Sequence, residues 1–245
     1  MKGKRSNQQN VDNMEVLTER VFTFQPEYDP AEMRLSIPNQ KRIKASSDEV
    51  LFGVTTAESA CNNAISARTA AFDALDPLIT CVINALRISE VSEQTIKQGE
   101  SIVREMRHKR ASVITHVISA VVGTEINEPA KTNKIHGSSY NTRIENFRRL
   151  IVLLGTIAAY KPKETDLTVE MLNNRLTVLT RLNSALKTAD AQADAARTQR
   201  DTILYASKTG LVDIAMDSKL YVKSAYGASS PQYKSISGII FSRLR

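Results

Sequence analysis

The chain has 245 residues, a length that allows one large domain or two modest ones and is enough to bury a real core. It is 42% hydrophobic but only 5% aromatic, with no Trp, nine Gly and seven Pro, which argues against a β-sandwich or barrel and for helices. Thirty-three Lys and Arg against 26 Asp and Glu leave a net charge of +7, an excess that tolerates an acidic partner without requiring one.

The opening MKGKRSNQQN has no apolar run after its basic residues, so no leader and a cytoplasmic location are expected. Residues 1–24 read as a polar N-terminal arm, with a short extended piece from Arg20 to Phe24. A helix is expected after Pro30. From Ile43 onward Val50, Val54, Cys61, Ala64, Ala71, Leu75, Leu78 and Val82 recur at helical spacing, with a kink or break at Asp76-Pro77 and an end near Ser89. A second helix is expected from Ser92 to about residue 110, its last turns carrying Arg104, Arg107, Lys109 and Arg110 against the negative end of the dipole. Residues 111–139 are the least regular, and the Gly, Pro, Asn and Ser content of 124–139 reads as a linker. The apolar piece 111–123 and the run 150–160 are both short of the ~20 residues that cross a bilayer, so no membrane span is expected. A third helix is predicted over 141–159, and a very long one over 166–225, bent at Gly210 and stopped by Gly227. The last residues, 229–245, read as a tail with a β-prone stretch from Ile236 to Phe241.

Laid on itself at an offset of 132, the chain repeats Y-x-P-x-E-x-x-L: Tyr28, Pro30, Glu32 and Leu35 fall on Tyr160, Pro162, Glu164 and Leu167. Proline and a carboxylate in a first turn suit a helix N-terminus, so the motif is expected to start the long helices. Both halves also have alanine-rich middles, TAESACNNAISARTAAFDAL and SALKTADAQADAARTQRD, whose small side chains allow close helix approach. Arg68 falls on Arg200, or on Arg197 after a three-residue slip. The expected architecture is all-α: an elongated antiparallel bundle of four to five long helices with an internal duplication and extended tails. Its parts would be the arm 1–24, a first half 25–123, the linker 124–139, a second half 140–228 and the tail 229–245.

The segments SSYNTRIENFRRLIVLLGTIAAYKPKETDLTVEMLNNRL, AARTQRDTILY, KLYVKSAYG and SSPQYKSISGIIF resemble a family of duplicated all-helical proteins of bacteroidete-type bacteria, as does ARTAAFDALDPLITCVINALR in the first half. The segment ASVITHVISAVVG departs from the charged linker expected there. The resemblance implies a helical, duplicated chain and brings no activity with it.

Chemistry-bearing patterns are sparse. His108, His116 and His136 show no spacing that puts two ligands on one helix face, and no phosphate loop or nucleophile elbow is present. No catalytic, cofactor or metal residues are therefore assigned. Cys61 and Cys81, 20 residues apart in helical register, are expected as buried free thiols. Asp190 and Asp194 read as a solvated face. The run Arg104, Arg107, Lys109 and Arg110 is the candidate phosphate or partner contact, although residues 163–223 carry nine basic against eight acidic groups and form no basic stripe. The expected function is a non-enzymatic structural protein that self-assembles, a homo-oligomeric scaffold or filament-type subunit joined through tails and helical faces. Nucleic-acid binding through the basic patches is the alternative.

Overall fold

The computed structural model describes residues 7–107 and 139–243. Every regular element among them is helical: α1 (Asn7–Phe22), a 3-10 turn (Met33–Leu35), α2 (Ile37–Asp73), α3 (Leu75–Ile88), α4 (Glu93–Arg107), α5 (Tyr140–Gly155), a second 3-10 turn (Thr165–Leu167), α6 (Val169–Tyr205), α7 (Leu211–Tyr226) and α8 (Pro231–Ser237). These helices are more numerous and mostly shorter than the four or five anticipated. The break before Pro77 occurs at Ala74, where α2 stops and α3 starts with Leu75. The stretch expected as a single helix over 166–225 is two, because the chain turns through Lys208 at φ 64° and Gly210 caps α7. A Cβ on Gly210 would lie 2.6–2.9 Å from backbone atoms of Ala206 and Leu204, so only glycine fits this close approach.

The chain forms two compact units, Met1–Asn63 with Lys187–Arg245, and Ala64–Leu186. Their boundaries fall inside α2 and α6, so packing groups the helices differently from the two consecutive sequence halves.

In the first unit, the N-terminal arm proves to be a core helix. Val11, Met14, Leu17 and Val21, spaced by three, three and four residues, are fully buried in a cluster with Leu204, Leu211, Val212, Ile214, Val222 and Ile236. Arg20 and Val21 therefore lie in α1 and not in an extended segment. The sequence hides this helix because the stripe is narrow and, Val16 and Phe22 apart, the residues around it are polar. The C-terminal residues are also tied down rather than forming a strand: α8 begins at Pro231 behind the cap Ser230, whose Oγ accepts from the Tyr233 N–H at 3.1 Å.

The second unit is built around Phe72, Leu75, Ile79, Val82 and Leu86, packed with Ile102, Val103 and Met106 of α4, Phe147, Leu150 and Leu154 of α5, and Leu172, Leu176 and Leu179 of α6. A Cβ on Gly99 would come within 2.9 Å of Leu86 Cδ2, so glycine at this position sets how closely α4 lies on α3. Cys81 faces away from the Ile79, Val82, Ile83 and Leu86 stripe and is exposed, and Cys61 is half-buried; both are free, which corrects the expectation of two buried thiols. The stretch Ile37–Ile88 contains a window of mean hydropathy 1.3 that is long and apolar enough to cross a membrane by length and composition, 33% of it buried.

Candidate functional site

The repeated motif does not start the long helices. Glu32 and Glu164 each stand just before a 3-10 turn, and α2 and α6 begin five residues later at Ile37 and Val169. Pro30 and Pro162 are half-buried in the approach, while both glutamates are exposed and Glu32 pairs with Arg34 at 2.9 Å. The tyrosine and the leucine instead tie the turn. Tyr28 donates its hydroxyl to the Leu35 carbonyl at 2.8 Å, and Tyr160 donates to the Leu167 carbonyl at 2.8 Å. Both phenols are buried, and burial raises their pKa; that of Tyr160, with Glu164 adding repulsion, is pushed up to about 12.

Around Tyr28 the first unit holds a buried polar network. The Nε2 of Gln40, fully buried, shares its two hydrogens among Tyr28 Oη at 3.0 Å, the Leu35 carbonyl at 2.8 Å and Ser218 Oγ at 3.2 Å. The Thr18 hydroxyl, with one hydrogen, shares it between the Met14 carbonyl at 2.8 Å and Gln40 Oε1 at 3.2 Å. The amide is therefore satisfied on both sides, as a group in an apolar core must be.

The tails meet each other within the first unit. Asn10 grips the backbone of Ser242 twice, donating to its carbonyl at 2.8 Å and accepting its N–H at 3.1 Å. Asn13 donates to the Ile240 carbonyl at 2.8 Å, Lys219 to the Ser237 and Ile239 carbonyls, and Arg20 to the Ser235 carbonyl. Arg243 pairs with Asp213, whose pKa is lowered chiefly by the Lys208 backbone N–H donating to it. Residues 235–242 are thus held against α1 and α7 by contacts inside the first unit.

Of the four basic residues singled out in the sequence, Arg104 is exposed, and Lys109 and Arg110 lie outside the described residues, as do His108, His116 and His136. Arg107 is engaged internally, donating to the Asp76 carbonyl at 2.6 Å and to Thr80 Oγ1 at 2.7 Å. It joins a cluster that no linear motif announces. Arg143 bonds Asp76 Oδ1 at 2.9 Å and lies 5.2 Å from the Phe72 ring, while Arg68 stacks 3.8 Å above the Tyr140 ring, itself edge-on to Phe72 at 4.7 Å. Two guanidinium groups, from α4 and α5, thus share one carboxylate, half-exposed at the surface of the second unit, while Arg68 of α2 lies beside them on the Tyr140 ring. The Nε atoms of Arg68 and Arg143 are buried without an acceptor among the described residues.

Open grooves among the described residues of the second unit include two larger ones. One, of about 350 Å³, is lined by Ile88, Ser89, Lys161, Pro162 and Glu164. The other, of about 550 Å³, runs between α4 and α5 beside Ile102, Arg148, Val152 and Leu153. Ile88 is 86% exposed and Val152 62%; in the first unit Met33 is 80%, Phe52 73% and Leu220 62% exposed. Among the described residues no group of three or more His, Cys, Asp or Glu is placed to hold a metal. No protein-family model matches the chain, and neither a curated protein nor a solved structure matches it.

Proposed function

We propose that this chain is a non-enzymatic structural subunit that self-associates through its outer helical faces, as a scaffold or filament-type protein built from two related antiparallel helical halves. The observation that carries the assembly reading is the set of large apolar side chains held out on helices and turns, Met33, Phe52, Ile88, Val152 and Leu220, each more than half exposed. A single exposed leucine is ordinary, but side chains of this size left out on both units are groups that contact with another copy removes from water. The tails, fastened to their own unit, are withdrawn as the joining element, and the helical faces take that role. The stretch over 37–88 is taken as core and not as a membrane span, because Leu75, Ile79 and Val82 are fully buried among α4, α5 and α6 side chains.

The duplicated, antiparallel part of the reading has its own support. Ile37–Asp73 and Val169–Tyr205 are both 37 residues long and 132 apart, as are the turns Met33–Leu35 and Thr165–Leu167. The 16-residue helices Asn7–Phe22 and Tyr140–Gly155 are 133 apart, and at that offset the buried Val11, Met14, Leu17, Thr18 and Val21 fall on the buried Ile144, Phe147, Leu150, Ile151 and Leu154. Opposed chain directions account for ion-pair order: Lys41 reaches Glu19 where Lys44 reaches Glu15, and Arg87 reaches Glu100 where Arg107 reaches Asp76. The resemblance to duplicated bacteroidete-type proteins belongs to the same proposal.

Light scattering of the full chain over a concentration series tests the assembly. Association that weakens in an Ile88→Ser, Val152→Ser double variant with unchanged helicity is the expected result; a strictly monomeric wild type at high concentration and near-physiological salt overturns it. A second reading, binding of nucleic-acid phosphates, is favoured by the convergence of Arg68, Arg107 and Arg143 with exposed Arg104 nearby in sequence. Absence of DNA or RNA binding at roughly 50 mM salt, where phosphate contacts are strong, removes it.

A further inference from the structure

The two units solve the same packing problem with different chemistry. Resting on the equivalence proposed above, Thr18 of α1 and Gln40 of α2 correspond to Ile151 of α5 and Leu172 of α6, at offsets of 133 and 132. The N-cap of α7, Gly210, corresponds to that of α3, Ala74, which places Ser218 on Val82. All six residues are buried: Thr18 is 3% exposed, Gln40 and Ser218 0%, Ile151 4%, Leu172 and Val82 0%. A hydrogen-bonded triad around one tyrosine–leucine turn is thus matched by an aliphatic triad around the other, and the tyrosine-to-carbonyl bond itself is kept in both.

We infer that the Thr18–Gln40–Ser218 network is a docking key that keeps α1 on the first unit and α5 on the second, and so prevents exchange of equivalent helices within a chain and between copies. The need for a key follows from how alike the two helices are. Each is 16 residues long, and of their five matched buried positions four are apolar in both. Hydrophobic burial alone, being non-directional, does not choose between such surfaces. Of those five, position 18 against 151 is the one that differs in polarity. With α5 in the place of α1, Ile151 would face Gln40 Oε1 and strand a buried acceptor; with α1 in the place of α5, the Thr18 hydroxyl would keep its bond to the Met14 carbonyl of its own helix, so the cost falls on Gln40. An unmet buried polar group shifts such a choice by about tenfold or more. The wrong helix on the first unit is thereby penalised, as one buried polar pair fixes register in helical assemblies, and an exchange between units or copies always places one there. The network also separates two kinds of self-association, leaving the outer faces to assemble while blocking helix exchange.

The test uses the full-length chain as wild type, as Gln40→Leu, and as the triple variant Thr18→Ile, Gln40→Leu, Ser218→Val. Each is unfolded in guanidinium and refolded over a range of protein concentrations. Species are then counted by size-exclusion chromatography with light scattering after dilution, beside a never-unfolded wild-type sample. Assembly through outer faces reverses on dilution, whereas exchanged helices stay trapped, so the two are told apart. Gln40→Leu alone is expected to lower the unfolding midpoint, and the triple variant to recover it by copying the aliphatic triad. The triple variant is expected to refold into persistent additional species, including dimers whose share rises with concentration, where wild type returns as one. If the midpoint recovers and the triple variant still refolds to the single wild-type species at every concentration, the docking key is refuted while the equivalence of the units stands. If the triple variant stays as unstable as Gln40→Leu, the aliphatic triad does not fit, and the equivalence and the inference fall together.

Discussion

Tyr160 shows what a single residue contributes to this fold. Its hydroxyl bonds the Leu167 carbonyl at 2.8 Å, and the ring is only 6% exposed, so the phenol resists ionisation until about pH 12. In the unfolded chain the same group titrates near 10. The unfolded state therefore gives up its proton first, and the stability that neutral Tyr160 provides is fully present below pH 10 and lost as pH climbs from 10 to 12. Alkaline unfolding followed by circular dichroism should show this loss, with a shallower pH dependence in Tyr160→Phe. At neutral pH that variant leaves the Leu167 carbonyl without its donor and should cost about 1–3 kcal/mol in a denaturant melt. Equal stability of Tyr160→Phe and wild type at pH 7 would mean that the bond is not needed to hold the turn.

At the scale of the element, helix ends and close crossings carry the local specificity. Ser92, Ser139 and Ser230 each stand before a helix with the side chain accepting an N–H three residues on, at 3.1–3.2 Å. Replacing Ser139 or Ser230 by Ala should lower stability by ~1 kcal/mol, the usual worth of such a cap. Gly99 poses a stricter demand. A Cβ there already crowds Leu86 at 2.9 Å, so Gly99→Val should push α4 off α3 and cost ~1–3 kcal/mol by overpacking, measured by the shift in unfolding midpoint. The alanine-rich middles are less uniform than their composition suggests. Ala64 and Ala196 are half-buried, whereas Ala193 is fully buried, so overpacking by a larger side chain is expected at the third before the first two. Ala193→Leu is the substitution that tests it.

For the molecule as a whole, the first unit closes on itself through its two ends. Asn10 holds Ser242, Asn13 holds Ile240, and Ile236 and Ile239 are buried in the same cluster as Val11 and Leu17. Deleting residues 238–245 should therefore loosen α1, seen as faster amide exchange over residues 7–22, while exchange in residues 140–155 stays as in the full chain. Unchanged exchange in α1 would show that α8 alone suffices to hold it.

Helical content was legible because apolar spacing, the absence of Trp and an aromatic share of only 5% leave few alternatives, and the break near Pro77 and the bend near Gly210 follow from local backbone chemistry. The Y-x-P-x-E-x-x-L repeat was also visible, because it is contiguous in the chain. Its meaning was not, since proline and glutamate advertise a helix start while the bonds that matter run from tyrosine to leucine across seven residues. Other features required tertiary structure because they depend on partners remote in sequence. The polar segment 7–22 becomes a core helix only because α7 and α8 supply the surface its narrow stripe needs, and Cys81 is exposed because neighbouring elements cover the opposite face of α3. Arg107 and Arg143 meet at Asp76, with Arg68 on the Tyr140 ring beside them, only when α2, α3, α4 and α5 are packed, a convergence that no one-dimensional spacing encodes.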